Sequence, residues 1–165
     1  MGLKIDGDET VIELYTDGSV YPNPGYGGYA AVVVTKNGRG AKLSNFYPHK
    51  TTNNEMECYA IVAAMKYIWK TNPNPEKIVL QIYSDSKFAI NILVGEWINK
   101  ANPNIDVLLD DFNTLCEKFG TVNLEWVRGH SGDEYNELAN VLAEYGRWQN
   151  PNLPERYRKN PYQKG

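Results

Sequence analysis

Asp17, Glu57 and Asp85 are isolated acids, each set beside a run of apolar residues. Asp17 follows the strand-like run carrying Val11, Ile12, Leu14 and Tyr15 and leads into Gly18 and Ser19. Soon after comes the glycine-rich stretch Asn23-Pro24-Gly25-Tyr26-Gly27-Gly28-Tyr29, where backbone amides can approach a polyanion closely. Asp85 closes the short apolar run 78–83, and Glu57 adjoins the apolar run 58–65. In open α/β sheets, ligands bind beyond the carboxyl ends of strands, where Asp17 and Asp85 are expected to stand. An ionised carboxylate near a core is costly unless it is paired or bound to a metal. Taken singly, each acid has a plainer reading. Asp17 and Asp85 suit Asx-type turns, and Glu57 suits a helix N-terminus capped by Thr52, Asn53 or Asn54. Three such acids in comparable settings point instead to one shared site.

The elements that must position them follow from periodicity. Strands are expected over 10–16, 29–35 and 41–47, the last two joined by a hairpin turn at Lys36-Asn37-Gly38-Arg39-Gly40. Residues 54–69 read as a helix apolar nearly all round, hence central and buried, with Glu57 in its first turn. Asn72-Pro73-Asn74-Pro75 ends it. A buried strand over 78–83 runs into Ser84-Asp85-Ser86, and a helix through Phe88, Ile92 and Leu93 follows. Ile105, Leu108, Leu109, Phe112, Leu115, Cys116 and Phe119 mark an amphipathic helix. Val122, Leu124 and Trp126 alternate with polar residues as a half-exposed strand. A last helix from about Asp133 carries Leu138, Val141, Leu142, Tyr145 and Trp148 on one face. The fold class is therefore α/β, an α+β mixed sheet of five strands with flanking helices. Its order is βββαβα(α)βα, with the later strands parallel.

Composition narrows the function classes. A chain of 165 residues with 42% apolar and 22% charged residues fits one soluble domain. No apolar stretch is long enough to span a bilayer, and the N-terminus has no apolar signal region, so no membrane and a cytoplasmic location are expected. Cys58 and Cys116 lie in apolar helical runs and read as buried free thiols. A net charge of −3 argues against coating nucleic acid through bulk electrostatics, although a bound Mg²⁺ would reverse the sign at an acidic cluster.

Five segments in order carry a resemblance: Tyr-Thr-Asp-Gly-Ser at 15–19, Asn-Pro-Gly-Tyr-Gly-Gly-Tyr at 23–29, Thr-Asn-Asn-Glu-Met-Glu at 52–57, Tyr-Ser-Asp-Ser at 83–86 and Trp-Val-Arg-Gly-His-Ser-Gly at 126–132. Together they resemble ribonuclease H of type 1 along nearly the whole chain. The resemblance implies a ribonuclease H-like fold and a metal-dependent endoribonuclease that cuts the RNA strand of RNA–DNA hybrids, leaving 5′-phosphate and 3′-hydroxyl ends. It implies that Asp17, Glu57 and Asp85 hold two Mg²⁺ ions, with Mn²⁺ as a substitute and Asp17 bridging the pair. It gives His130, between glycines on a loop, an auxiliary part in proton transfer or product release. His49 matches nothing catalytic and reads as surface.

The chain also departs from the family. The fourth metal-coordinating aspartate falls on Asn140, which lies off the apolar stripe of its helix. An amide carbonyl can still ligate a metal, but the site loses one negative charge, so weaker metal binding and attenuated turnover are expected. The alternative is a hybrid-binding module with impaired catalysis. A third possibility keeps the fold and changes the reaction.

For recognition of the hybrid, the resemblance implies the backbone from Gly18 through Ser19 to Val20, with Asn23, Asn53 and Asn54, in the minor groove. Ser86 and Lys87 complete the nucleic-acid-binding set, Lys87 standing where glutamine is common and reaching a phosphate or base edge. The basic helix and loop of several bacterial relatives is missing from 94–104, and Trp97 there reads as core. A catalytic domain over 1–149, monomeric, is followed by a basic and aromatic tail over 150–165. That tail reads as a solvated, loosely packed terminus, with phosphate binding as the rival reading.

Overall fold

The computed structural model describes residues 10–36, 40–100, 102–129 and 133–158. The tip of the expected hairpin, 37–39, lies outside the described residues. The strands are β1 (Thr10–Val20), β2 (Gly27–Val34), β3 (Gly40–Phe46), β4 (Ile78–Ser84) and β5 (Thr121–Trp126), with β-branched and aromatic residues prominent in all but β3. The helices are α1 (Asn53–Thr71), α2 (Lys87–Leu93), α3 (Pro103–Cys116) and α4 (Glu134–Trp148). One five-stranded sheet has the order β3-β2-β1-β4-β5. The first three strands are antiparallel neighbours, while β4 lies parallel to both β1 and β5. This is the mixed sheet and element order expected.

Alternation along β1 divides the core. Ile12 and Leu14 face the larger cluster with Ile61, Met65 and Phe112, contributed by α1 and α3. Tyr15 faces a smaller cluster with Val32, Val34 and Ala139 of α4. The sheet is thus sandwiched between α1 and α4. The apolar character of α1 is accounted for by Met56, Cys58, Ile61, Met65 and Ile68, all buried, although Lys66, Trp69 and Lys70 at its far end are exposed. Cys58 is a buried free thiol as expected, and Cys116 is only half-buried.

Three expectations change. First, β1 does not stop at Thr16. Its parallel pairing with β4 ends at the Thr16–Ser84 pair, but antiparallel pairing with β2 carries it on to Val20. Second, the sheet-facing line of α4 is Asn136, Ala139, Ala143 and Gly146, whereas Leu138, Val141, Leu142, Tyr145 and Trp148 are only half-buried. Small residues are needed because the backbones nearly touch: a Cβ on Gly28 would sit 2.4 Å from the carbonyl carbon of Gly146. Third, Trp97 is not core. It is 49% exposed and meets only the edge of Phe88.

The segment after α4 is not loose either, through residue 158. Asn150 is fully buried, and its amide donates to the carbonyls of Gly27 (3.0 Å) and Tyr47 (2.7 Å). Leu153 is buried, and the Arg158 guanidinium donates to the carbonyls of Trp148, Asn150 and Leu153. Arg158 is thereby spent on chain carbonyls and not offered to a phosphate. The Gly27 carbonyl also accepts from the Tyr47 amide, so loss of the Asn150 amide takes the donor from the Tyr47 carbonyl, and a buried carbonyl without a donor costs about 1–3 kcal/mol. Asn150→Leu should therefore lower unfolding free energy by about 2 kcal/mol or more in urea titration. A change within about 0.5 kcal/mol would show that the amide does not tie β2 and the following loop to α4.

Candidate active site

The last parallel pair, Thr16 and Ser84, is followed on each strand by an acid, Asp17 and Asp85. The two strands thus deliver two carboxylates side by side at one end of the sheet. The third acid comes from α1, and a glycine lets it approach. A Cβ on Gly18 would lie 2.6 Å from the carbonyl carbon of Met56 and 2.8 Å from the amide nitrogen of Glu57. With no side chain there, the Gly18 amide donates both to Asp17 Oδ1 and to Glu57 Oε1, each at 3.0 Å. One carboxylate oxygen from each of Asp17, Glu57 and Asp85 lies within 4.8 Å of the others.

Glu57 is not the capping acid of α1, and it falls in the second turn, not the first. The cap is Thr52, whose hydroxyl accepts from the Glu55 amide at 3.1 Å. Buried Glu55 instead accepts from the side-chain amides of Asn102 (3.1 Å) and Asn104 (3.4 Å), tying the start of α3 to the start of α1. The Asx-turn reading of Asp17 fails for the same reason that β1 is longer, since Asp17 is paired with Ala30 inside a ladder.

Crowded, poorly hydrated carboxylates resist ionisation. Asp17 is 6% exposed. Burial, then repulsion from Asp85, pushes its carboxyl up to about 7, against the stabilising bonds from Glu57 and the Gly18 amide. Glu144 of α4 adds to the repulsion. Desolvation, followed by the charges of Asp17 and Asp85, holds Glu57 well above the usual carboxylate range. In the bare protein Asp17 and Glu57 therefore resist being ionised together. A divalent cation answers the same need, and three hard oxygen donors suit Mg²⁺ or Mn²⁺. The donor set fits such an ion.

Around this cluster the other predicted residues fall into place unevenly. Val20 donates its amide to Asn53 Oδ1 at 2.7 Å, and the Asn53 amide donates to Asn23 Oδ1 at 3.1 Å. Val20, Asn23 and Asn53 thus form one bonded rim beside Gly18 and the acids, with exposed Asn54 one residue further along α1. Ser86 caps α2, its hydroxyl accepting from the Ala89 amide at 3.0 Å. The Lys87 ammonium lies 4.5 Å from the centre of the Trp126 ring, whose indole N–H donates to the Asp85 carbonyl. Lys87 is therefore stacked beside the site. Asn140 is half-buried on α4. His130 lies outside the described residues, but Gly129 is packed against the site: a Cβ there would meet Asp85 Oδ2 at 3.0 Å. His49 is exposed at the far end of β3, as expected of a surface residue.

Arg147 was not legible as part of this region. Its Nη1 donates to Ser19 Oγ at 2.9 Å, while its buried Nε has no protein hydrogen-bond partner among the described residues. Its signal was the i, i+4, i+7 series Asn140, Glu144, Arg147 along one flank of α4.

A family model for RNase H matches residues 9–147. The chain belongs to the RNase H family. It is 35% identical to ribonuclease HI of a Synechocystis strain over 156 residues, covering 86% of this chain and 91% of the relative. It is 36% identical over 146 residues to a ribonuclease H of Pseudoalteromonas translucida, covering 82% and 88%. Among solved structures, the N-terminal RNase H domain of a Mycobacterium tuberculosis protein superposes with TM-score 0.71 at 26% identity, covering 83% and 93%. LC11-RNase H1, solved in complex with an RNA/DNA hybrid, shares the fold at TM-score 0.68 and 20% identity, covering 80% and 96%. The chain is thus an enzyme of the type 1 ribonuclease H family, and the five-stranded mixed sheet is the family fold.

The raised acids predict a specific pH response of the metal-free protein. A folded-state pKa above the unfolded value means that the folded state binds the proton more tightly. That contribution to stability is whole below about pH 4 and lost as pH rises through about 7. In EDTA, Asp17→Asn should therefore melt at a higher temperature than the parent at pH 8 and at nearly the same temperature at pH 4. Equal melting temperatures at both pH values would show that Asp17 carries no such strain.

Proposed function

We propose that this enzyme hydrolyses the RNA strand of RNA–DNA hybrids at the Asp17, Glu57, Asp85 cluster, as a monomer in the cytoplasm. The observation that carries the reading is the convergence of the three carboxylates within 4.8 Å, at the end of the sheet, beside Gly18 and the bonded rim of Val20, Asn23 and Asn53. Asp17, Glu57 and Asp85 would hold two divalent cations, with the Asn140 carbonyl as a weaker neutral fourth ligand. Bound there, the cations would lower the pKa of an attacking water and neutralise charge on the departing 3′ oxygen. Asp17 is inside the β1–β2 ladder and so is held rigidly. Glu57 is fixed by the Gly18 amide.

The rim supplies recognition. A 2′-hydroxyl both donates and accepts, and amide side chains such as Asn23, Asn53 and Asn54 can do the same in return. Their mutual bonds pre-order the rim, so less freedom is lost when a duplex docks. Ser86 and Lys87 lie at the opposite side of the acids, where Lys87 can leave the Trp126 face for a phosphate. His130 would assist proton transfer from the 129–132 loop that Gly129 anchors against Asp85. With no basic arm in 94–104, affinity would rest on this rim and on the metal.

Asn140 favours a second reading, a hybrid-binding module with impaired catalysis. Both are decided by incubating the protein with Mg²⁺ and matched hybrid, double-stranded RNA and double-stranded DNA, beside Asp85→Asn and Asn140→Asp. The hybrid alone should be cut, Asp85→Asn should fall to background, and Asn140→Asp should lower the Mg²⁺ concentration for half-maximal rate at least about tenfold. That factor corresponds to about 1.4 kcal/mol, modest for one added charge at a metal site. Cleavage only by Asn140→Asp would establish the binding module, and cleavage by none would end the nuclease reading.

A further inference from the structure

Resting on the metal-site reading above, we propose that Glu144 supplies the charge that Asn140 lacks, as an outer carboxylate that holds a site cation through one of its waters. The argument is one of register between β1 and α4. Tyr15, Asp17 and Ser19 alternate onto the α4 face of β1. Tyr15 packs against Ala139, with its ring 5.3 Å from that of Tyr135. Four residues along the strand, Ser19 Oγ accepts from Arg147 Nη1 at 2.9 Å. These two contacts bracket Asp17, and the spans agree. Four strand residues cover about 13 Å and the eight helix residues from Ala139 to Arg147 about 12 Å, so strand and helix advance together.

The point on α4 opposite Asp17 is therefore near Ala143, which is fully buried against the sheet. The polar flank beside it consists of Asn140 and Glu144, one turn apart. Side chains on a helix lean toward its N-terminus, so Glu144 reaches back over the turn that Asn140 occupies. Glutamate has one methylene more than aspartate, which lengthens that reach. Glu144 is half-buried, as a site-facing flank residue should be. Repulsion from Glu144 is among the causes that raise Asp17, and its attraction is among those that oppose the lowering of Arg147, so Glu144 lies near both.

The test is a double-mutant cycle on the full chain: the parent, Glu144→Gln, Asn140→Asp and the double variant, each titrated with Mn²⁺ by calorimetry. Glu144→Gln should weaken Mn²⁺ binding about tenfold in the parent. In the Asn140→Asp background, where the inner position already has its charge, the same change should cost less than about threefold. Glu144→Asp, shorter by one methylene, should fall between the parent and Glu144→Gln. In EDTA, Glu144→Gln should melt no lower than the parent, because it removes a repulsive charge. A role confined to pairing with Arg147 would lower that melting temperature instead and leave Mn²⁺ binding unchanged. Mn²⁺ affinity within about twofold of the parent, or an equal loss in both backgrounds, would overturn the role of Glu144. Failure of the parent to bind Mn²⁺ at all would overturn the metal reading and this inference together.

Discussion

Three carboxylates held within 4.8 Å of one another repel, and most of this molecule can be read as the means of keeping them there. The repulsion is offset locally by very little. The Gly18 amide is shared by Asp17 and Glu57, and burial with mutual repulsion raises both acids against ionising together. The rest of the restraint is mechanical. Asp17 sits within a ladder that extends past the end of its parallel neighbour, and Glu57 rides on a helix whose next turns are buried in the main core. A loosely built site would relieve its repulsion by moving apart. This one is left dependent on a cation.

Close backbone approach is what makes the arrangement possible, and glycine provides it on both faces of the sheet. Gly18 brings β1 against the start of α1, and Gly28 with Gly146 brings β2 and α4 together. The first contact places Glu57; the second fixes the height of α4 above the sheet and so the reach of Asn140, Glu144 and Arg147. The burial of Asn150 and the clasp of Arg158 secure the far end of α4 in turn. Residues distant from the acids therefore set which flank of α4 the site meets.

The acids themselves were legible in the sequence, because an isolated carboxylate at the end of an apolar run has few reasons to be there. The order of strands and helices was legible for the same reason, each apolar run having a clear period and a clear breaker. What was hidden depended on pairing across the sheet. Asp-Gly-Ser has the composition of a strand end, yet antiparallel bonding to β2 overrides that local preference and continues β1 to Val20. The sheet-facing line of α4 was hidden because a hydrophobic stripe is sought in large side chains, while close packing here required alanine and glycine. Trp97 read as core from its type alone, but it lies in the connector between α2 and α3 with about half its surface exposed. Arg158 shows the converse: a basic residue in a tail suggests phosphate, and here three chain carbonyls hold it.

The departure at Asn140 is best understood against the same balance of charge. With Asn140 as the proposed neutral fourth ligand, the site would repel itself less than a four-acid site and attract a cation less strongly. The most direct measurement of the account is anomalous diffraction from crystals of this chain grown with hybrid and Mn²⁺. The account predicts manganese density in contact with carboxylate oxygens of Asp17, Glu57 and Asp85, displaced by EDTA. Density elsewhere with the acid cluster bare, at a Mn²⁺ concentration that supports hybrid cleavage, would contradict it.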